Sequence, residues 1–407
     1  MRLLLLLPAA GYANQDFQQA AHKLGVEVIT CADYCHHLAP NWGLPPLMSV
    51  AFDQPAHSVP RILAALQYPI DAVLASDDHG VELAAHLREA LGLLGNPVDA
   101  VMQLRDKLHF RQLQQAHGLL HPDFCAVPDN DAGVAAVAHL GFPLVIKSRQ
   151  LNASRGVIRA NNPEEFARAL AQVRRIQARY LRDSASLGVL VERFIPGVEI
   201  ALEGVLRKGA LQVLAVFDKP DPLDGPTFEE SIYVTPSRLP ESTQIAIADA
   251  VSCACAAAGV SEGAIHAEAR INEQGIWLLE IAPRAIGGLC GRILEATLGV
   301  GSAEIVLRHA LNLPLNLKTH RAAAGVMMIP IPASGVLQTV DGVDAARAVR
   351  GISGVEITAA IGQIVAPPPE GASYLGFIFS RADTPADAEA ALRAAHAQLS
   401  IQIQTLI

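Results

Sequence analysis

The stretch that most constrains this chain is His266-Ala267-Glu268-Ala269-Arg270, followed by Trp277-Leu278-Leu279-Glu280-Ile281-Ala282-Pro283-Arg284-Ala285-Ile286-Gly287-Gly288. It reads as a β-hairpin. In the first strand His266, Glu268 and Arg270 fall on one face and Ala267 and Ala269 on the other, because side chains alternate along an extended chain. Asn272-Glu273-Gln274-Gly275 supplies the turn, with glycine where a positive φ costs least. The second strand is almost wholly apolar, so Glu280 stands out. A carboxylate there is costly unless it is paired or bound to a cation. If Glu268 and Glu280 face each other, they form a hard-oxygen site suited to Mg²⁺. Arg284 then lies beside it, ready for a carboxylate or phosphate. A surface hairpin with scattered charges is the plainer alternative.

At 407 residues the chain exceeds one ordinary core, and two or three domains are expected. The net charge is −9 with no basic block, which argues against a nucleic-acid partner. No run approaches the ~20 apolar residues of a membrane span, so no membrane partner is expected. Cysteines at 31, 35, 125, 253, 255 and 290 form no CxxC pair. Reduced, mostly buried thiols in the cytoplasm are the plain reading. His36-His37 lacks neighbouring ligands and reads as loop. The opening Leu3-Leu4-Leu5-Leu6-Leu7 run resembles a short signal peptide but is better read as a buried strand.

Residues 1 to about 100 alternate strands (3–7, 26–30, 48–52, 71–75) with helices (14–24, 56–66, 79–91), which predicts a small doubly wound α/β domain. The strand 71–75 ends in Ser76-Asp77-Asp78, at the carboxyl edge where open sheets bind ligands. Asp78 and Glu82 there either face a site, or Asp77 merely caps a helix. After the Gly92–Asn96 turn and Pro97, Lys107 and Arg111 share one helix face, a pattern that is usually just solvated. Phe142-Pro143-Leu144-Val145-Ile146-Lys147-Ser148 is an apolar strand ending in a lysine that needs an anion. Ser154-Arg155-Gly156 is a small-residue turn whose N–H groups can close over phosphates. A helix spans 163–180, and Val189 to Ile195 is a strand leading into a hinge able to read an adenine edge, with Glu199 in reach of a ribose. Strands 199–207 and 210–218 extend an antiparallel sheet. Lys219 to Pro226 is a polar Pro/Gly/Asp loop suited to a lid. Helices follow at 240–258, 289–297 and 302–312. Beyond 320 come short strands at 325–331, 355–360, 362–366 and 374–380, a helix at 385–398 and a strand at 401–404, forming a small α+β cap with no obvious catalytic group.

Taken in order, Asp106-Lys107, Lys147, the small-residue loop, Glu192 to Glu199, then Glu268, Glu280 and Arg284 resemble the ATP-grasp superfamily of carboxylate–amine ligases. Arg105-Asp106-Lys107 after Gly95-Asn96-Pro97, the 228–237 segment and Tyr374-Leu375-Gly376-Phe377 are most similar to the L-amino-acid ligases, which make dipeptides. The resemblance spans nearly the whole chain and implies α/β and α+β architecture. It divides into a pre-ATP-grasp Rossmann-like domain (1–100), a two-lobed ATP-grasp domain (101–315, lid about 219–230) and a C-terminal cap (316–407). It implies ATP, with Lys107 and Lys147 on the phosphates, Ser154 and Gly156 in the loop over them, Glu192, Phe194 and Ile195 around adenine and Glu199 on the ribose. Glu268 and Glu280 would hold Mg²⁺ or Mn²⁺. Arg284 would bind the substrate carboxylate, Glu230 would lie near substrate and metal, and Lys147 and Glu230 would share the catalytic work with Arg284. The partners implied are amino-acid substrates, with a homodimer left open. Two departures stand out: Ala282 where the superfamily often has a metal-binding Asn, and Tyr233 where the ligases tend to carry His.

The chemistry suits these residues. A carboxylate and an amine do not condense in water at useful rates, and phosphorylation from ATP supplies a leaving group, given charge neutralisation, alignment and exclusion of water. Alternatives are a biotin-carboxylase-like enzyme that phosphorylates bicarbonate, and a non-catalytic nucleotide-binding protein. The small residues after Arg284 (Ala285, Gly287, Gly288) predict an open pocket floor and a medium to large donor amino acid.

Overall fold

A computed structural model describes residues 1–9, 11–34, 48–128, 133–181 and 187–405; Cys35 and His36-His37 lie outside these. The leucine run is strand Arg2–Leu7, second from one edge of a four-stranded parallel sheet. Its neighbours are Glu27–Ala32 and Ala72–Ala75, with Met48–Ser49 beyond. Leu3, Leu5 and Leu7 pack with Phe17 and Ala21 of helix Asn14–Lys23. Leu4 and Leu6 pack with Ile62 of helix Pro55–Ala65 and with Leu83 and Leu87 of helix Val81–Leu91. A parallel strand covered on both faces has no polar side, which is why five leucines stand in a row.

Helices Val98–Arg105 and Lys107–Ala116 are joined at Asp106, which caps the second by accepting from the N–H groups of Leu108 (2.9 Å) and His109 (3.3 Å). An antiparallel sheet follows in the order Phe124–Val127, Val189–Arg193, Leu144–Ser148, Val157–Ala160. Helix Pro163–Tyr180 covers one face, burying Phe166, Leu170 and Val173. It starts where the sequence says it should, with Pro163 in the first turn and the Asn162 side chain accepting from Glu165 N–H at 2.9 Å.

The largest element is an eight-stranded sheet. Its order is Gly275–Ala282, Gly263–Asn272, Val198–Arg207, Ala210–Asp218, Ile232–Thr235, Ala323–Ile329, Gly376–Ala382 and Ile352–Ile357. Helix Glu241–Ala258 packs against it and stops at Gly259, which takes the left-handed conformation (φ +76°) that glycine adopts without strain. The acidic hairpin is one edge of this sheet, and Ala323–Ile329 pairs directly with Ile232–Thr235, so the sheet runs on into the C-terminal third. A three-stranded sheet of Ile364–Val365, Gly335–Asp341 and Ser400–Gln404 completes the chain. Strand Gly335–Asp341 and helix Val343–Arg347 are not foreseen from the sequence, because most of the strand's residues are partly or fully exposed and leave little apolar alternation to read.

Candidate active site

The hairpin pairs in the expected register: Glu268 lies opposite Glu280, with His266 opposite Ala282. A bulge follows immediately, so that Ala269 pairs with Leu278 and Leu279 is the extra residue. Bulges re-aim side chains where a sheet edge meets a site.

The two carboxylates have different partners. Glu280 Oε2 is 3.1 Å from Lys107 Nζ, which also donates to the Leu151 carbonyl at 2.7 Å. Glu268 turns towards Lys219 Nζ at 3.5 Å. Lys219 also meets Glu199 Oε1 at 2.9 Å and makes a very short contact with Glu230. The sequence reading gave Lys219 no role beyond the start of the lid, yet its side chain is only 3% exposed and sits among three carboxylates. The signal was available: it is a lysine just past the end of an apolar strand, as Lys147 ends another. Oxygen atoms of Glu199, Glu230 and Glu268 all lie within 4.8 Å of one another. That set of hard oxygen donors, already gathered round an ammonium, fits a divalent cation such as Mg²⁺. Glu280 stands outside the triplet and Glu199 inside it, whereas the sequence reading paired Glu268 with Glu280 and placed Glu199 on a ribose.

The electrostatics follow from burial and neighbours. Burial alone would disfavour the Lys219 ammonium, but Glu199 and Glu230 outweigh it and hold the lysine charged. Glu268 is held well below the usual carboxylate range, since Lys219 and His266 overcome its burial. Glu230 goes the other way: burial and the neighbouring Glu268 raise it against the pull of Lys219. His266 bridges Glu203 (2.6 Å) and Glu268 (3.3 Å). Burial opposes its charge, yet these hydrogen bonds win and raise its pKa to about 9. Glu203 also accepts from the N–H of Ile286 at 3.1 Å, which ties the Arg284 loop to the same network. Tyr233 hydrogen-bonds Glu230 and places its ring 5.3 Å from Lys219 Nζ.

On the opposite wall, Lys147 Nζ is 2.6 Å from Glu192, whose other oxygen meets Arg111 Nε at 2.7 Å. Burial lowers the Lys147 pKa, partly offset by Glu192. Arg111 is fully buried and donates to the carbonyl of Leu279 at 2.9 Å, so the basic helix face expected to be solvated is instead clamped between hairpin and small lobe. Arg270 joins hinge to sheet, reaching Glu199 at 2.9 Å and the Ile195 carbonyl at 2.8 Å.

A cavity of about 110 Å³ joins most of these groups: Lys107, Lys147, Ser154, Glu192, Phe194, Ile195, Glu199, Glu230, Glu268 and Glu280 all line it. Two residues of the sequence-derived site do not. Gly156 donates its N–H to the Pro369 carbonyl at 2.9 Å, so its turn is docked on the C-terminal third rather than over the cavity. Ala153 and Ser154 take positive φ (50° and 55°), which turns the loop around Ser154. Arg284 lies to one side, 3.3 Å from Asp78, which also approaches Arg105 at 3.7 Å. Asp77 caps the helix, accepting from His79 N–H at 2.7 Å, while Asp78 pairs with Arg284 and Glu82 with Arg105 (3.0 Å), and neither Asp78 nor Glu82 lines this cavity. Ala285, Ile286 and Gly288 line a different, larger cavity. At Gly288, where φ is +64°, an added Cβ would lie 3.0 Å from the Phe377 ring.

Fold and site together define the class. Residues 140–293 match the ATP-grasp domain family, and residues 327–404 match the L-amino acid ligase C-terminal domain 2. The matches give residues 140–293 as an ATP-grasp domain and make the chain similar to ATP-grasp ligases, the L-amino-acid ligases among them. The crystal structure of an L-amino acid ligase from Bacillus licheniformis superposes with a TM-score of 0.79 at 25% identity, covering 99% of each chain. Alanine–anticapsin ligase of Bacillus amyloliquefaciens is 24% identical over 63% of this chain, and carnosine synthase 1 of Gallus gallus is 28% identical over 80% of it. The matched stretches span 57% and 37% of the lengths of those two relatives. Among the described residues, no helix is long and apolar enough to cross a membrane.

Proposed function

We propose that the protein is a cytoplasmic ATP-dependent ligase that joins a carboxylate-bearing amino acid to an amine through an acyl phosphate, releasing ADP and phosphate. The observation that carries this reading is the convergence of Lys107 and Lys147 with Glu199, Glu230, Glu268 and Glu280 around one cavity. The domains follow as 1–100, 101–315 and 316–407. The match of residues 327–404 to an L-amino acid ligase domain favours this reading over a carboxylase.

The donor carboxylate attacks the γ-phosphorus of ATP, the β–γ bridging bond breaks and ADP leaves. Lys107 and Lys147 lie where they can neutralise phosphate charge, and both are already drawn towards the cavity by carboxylates that a nucleotide's charge would replace. Glu199, Glu230 and Glu268 would hold Mg²⁺, with Glu280 close by in the same wall. When bound, that cation supplies charge neutralisation at the phosphates. Arg284, held by Asp78, presents a guanidinium to the donor carboxylate. The acceptor amine must lose a proton before attacking the acyl carbon. Glu230 lies in the same wall and hydrogen-bonds Tyr233, the residue that stands where the ligases tend to carry a histidine.

At about 110 Å³ the cavity is far smaller than the roughly 300–1,000 Å³ of small-molecule sites. Loop 219–230 is closed on it: the Arg159 N–H donates to Pro226 at 2.8 Å, and Arg393 meets Asp221 at 2.6 Å. Nucleotide entry therefore requires this loop to lift, as a lid does. The reading is tested by phosphate release with MgATP over all pairs of the common amino acids. At least one pair should stimulate release well above ATP alone; uniform background across all pairs would defeat the proposal.

A further inference from the structure

We propose that Glu203 and His266 are positioning residues that couple the cation ligand Glu268 to the loop carrying Arg284, so that the guanidinium is set for the donor carboxylate when the metal is in place. The inference rests on the ligase reading for what the two ends bind. Glu203 lies on strand Val198–Arg207, directly opposite His266 of Gly263–Asn272, and both side chains are buried. Ala201 and Val205, on the same face as Glu203, belong to an apolar core that includes Ile286, Leu289 and Cys290. A buried carboxylate–imidazole pair in such a core is weak evidence for stability, since well-packed apolar residues would avoid its desolvation cost. What sets this pair apart is that all four of its polar side-chain atoms are engaged, and in series. The Ile286 N–H donates to Glu203 Oε2 at 3.1 Å, Glu203 Oε1 meets His266 Nδ1 at 2.6 Å, and His266 Nε2 meets Glu268 Oε1 at 3.3 Å.

The two ends of this series are the two halves of the site. At one end Glu268 turns its other oxygen, Oε2, towards Lys219 at 3.5 Å, within the triplet it forms with Glu199 and Glu230. His266 thus fixes one oxygen of Glu268 and leaves the other for a cation, as a hydrogen-bonding partner of a metal ligand does. At the other end the bond falls on the peptide between Ala285 and Ile286. The N–H of that peptide is held by Glu203, and its carbonyl accepts from Arg284 Nη1 at 2.8 Å. A peptide unit is planar, so fixing its N–H fixes the direction of its C=O. Glu203 therefore orients the Arg284 guanidinium through one rigid unit, while Asp78 approaches the Nε of the same guanidinium at 3.3 Å. Three hydrogen bonds and one peptide plane join the cation ligand to the donor-binding group, a contiguous network of the kind that carries coupling between sites.

Hydrogen exchange over residues 283–289 reads the loop, and electron paramagnetic resonance reads Mn²⁺ binding, both on the full chain with bound ADP. In the wild type Mn²⁺ should slow exchange in this loop. Two substitutions each cut one link, because an Asn amide stands in for the histidine Nδ1 and a Gln amide for Nε2. His266→Asn keeps the bond to Glu203 and loses Glu268: Mn²⁺ should bind about tenfold or more weakly, and the loop should not respond to it at saturation. His266→Gln keeps Glu268 and loses Glu203: Mn²⁺ should bind nearly as in the wild type, yet the loop response should vanish. Glu203→Gln, whose amide can accept from Ile286 and donate to His266, should retain the response. The proposal is overturned if Mn²⁺ leaves 283–289 unchanged in the wild type, if either cut variant responds as the wild type does, or if His266→Asn binds Mn²⁺ with wild-type affinity. The first of these outcomes needs no variant, so the test stands even where one does not fold. A wild type that binds no Mn²⁺ would defeat the cation assignment together with this proposal, whereas Mn²⁺ binding without a loop response would defeat this proposal alone.

Discussion

Lys219→Met is the most informative perturbation, because it removes the one ammonium from among three carboxylates while keeping the stem that packs beside Tyr233. Breaking a buried ion pair by deleting one partner costs about 3–5 kcal/mol. Glu230, already raised by burial and by Glu268, can take up a proton and relieve part of this, which points to the lower end of that range. The same three carboxylates should then accept a divalent cation without displacing a lysine. At a concentration of ~100 times its Kd, Mg²⁺ stabilises the folded state by about 2.7 kcal/mol, close to the loss. Urea unfolding followed by tryptophan fluorescence in a Trp42→Phe background, so that Trp277 on the acidic hairpin gives the signal, reads the local transition with and without MgCl₂. The variant should lose about 3 kcal/mol in EDTA and regain most of it in Mg²⁺, while the wild type should respond less, since Mg²⁺ must first displace the ammonium. A variant as stable as the wild type to within about 0.5 kcal/mol, with no response to Mg²⁺, would show that the triplet is not a cation site.

Other outcomes follow from the same geometry. Lys147→Ala should raise the KM for ATP and abolish turnover while leaving the fold intact, as judged by circular dichroism; unchanged kinetics would remove Lys147 from the nucleotide site. Asp78 is held well below its ordinary range, because Arg105 and Arg284 outweigh its burial. The unfolded chain therefore binds the extra proton, and the stabilisation is present above about pH 4 and lost as pH falls towards the folded-state value. The stability gap between wild type and Asp78→Asn should accordingly be full at pH 7 and shrink below pH 4, and a gap independent of pH would refute the ion-pair account. Loop 219–230 should be cut faster by protease in the free protein than with MgATP and amino acids, and equal rates would count against a lid.

Much of this arrangement is legible in the sequence because it rests on local rules. The Glu268–Glu280 register follows from alternation and one turn, and helix Pro163–Tyr180 begins where the sequence places it, whereas the Asp106 cap that separates Val98–Arg105 from Lys107–Ala116 is not foreseen. The ATP-grasp fold follows from the order of Lys107, Lys147, Glu192 to Glu199 and Arg284. What could not be read is long-range convergence. Lys219 and Glu199 are 20 residues apart and meet Glu268 only because strands Val198–Arg207 and Gly263–Asn272 are neighbours in the sheet. Arg111 looked solvated because nothing in a single helix reveals that Glu192 and the carbonyl of Leu279 close over it. Gly156 fits a phosphate loop by composition, yet its N–H meets Pro369, more than 200 positions away in the chain. Ala285, Ile286 and Gly288 do line a roomy cavity, but that Phe377 packs against Gly288 from nearly 90 positions further along could not be read locally.

The central claim is passage through an acyl phosphate, and isotope transfer tests it most directly. With the donor amino acid labelled with ¹⁸O in its carboxylate, the oxygen that bridges carbon and phosphorus must depart with phosphorus when the amine attacks. The account predicts one ¹⁸O in the released phosphate per dipeptide formed, with ADP as the nucleotide product. Unlabelled phosphate, or label recovered in AMP, would contradict it.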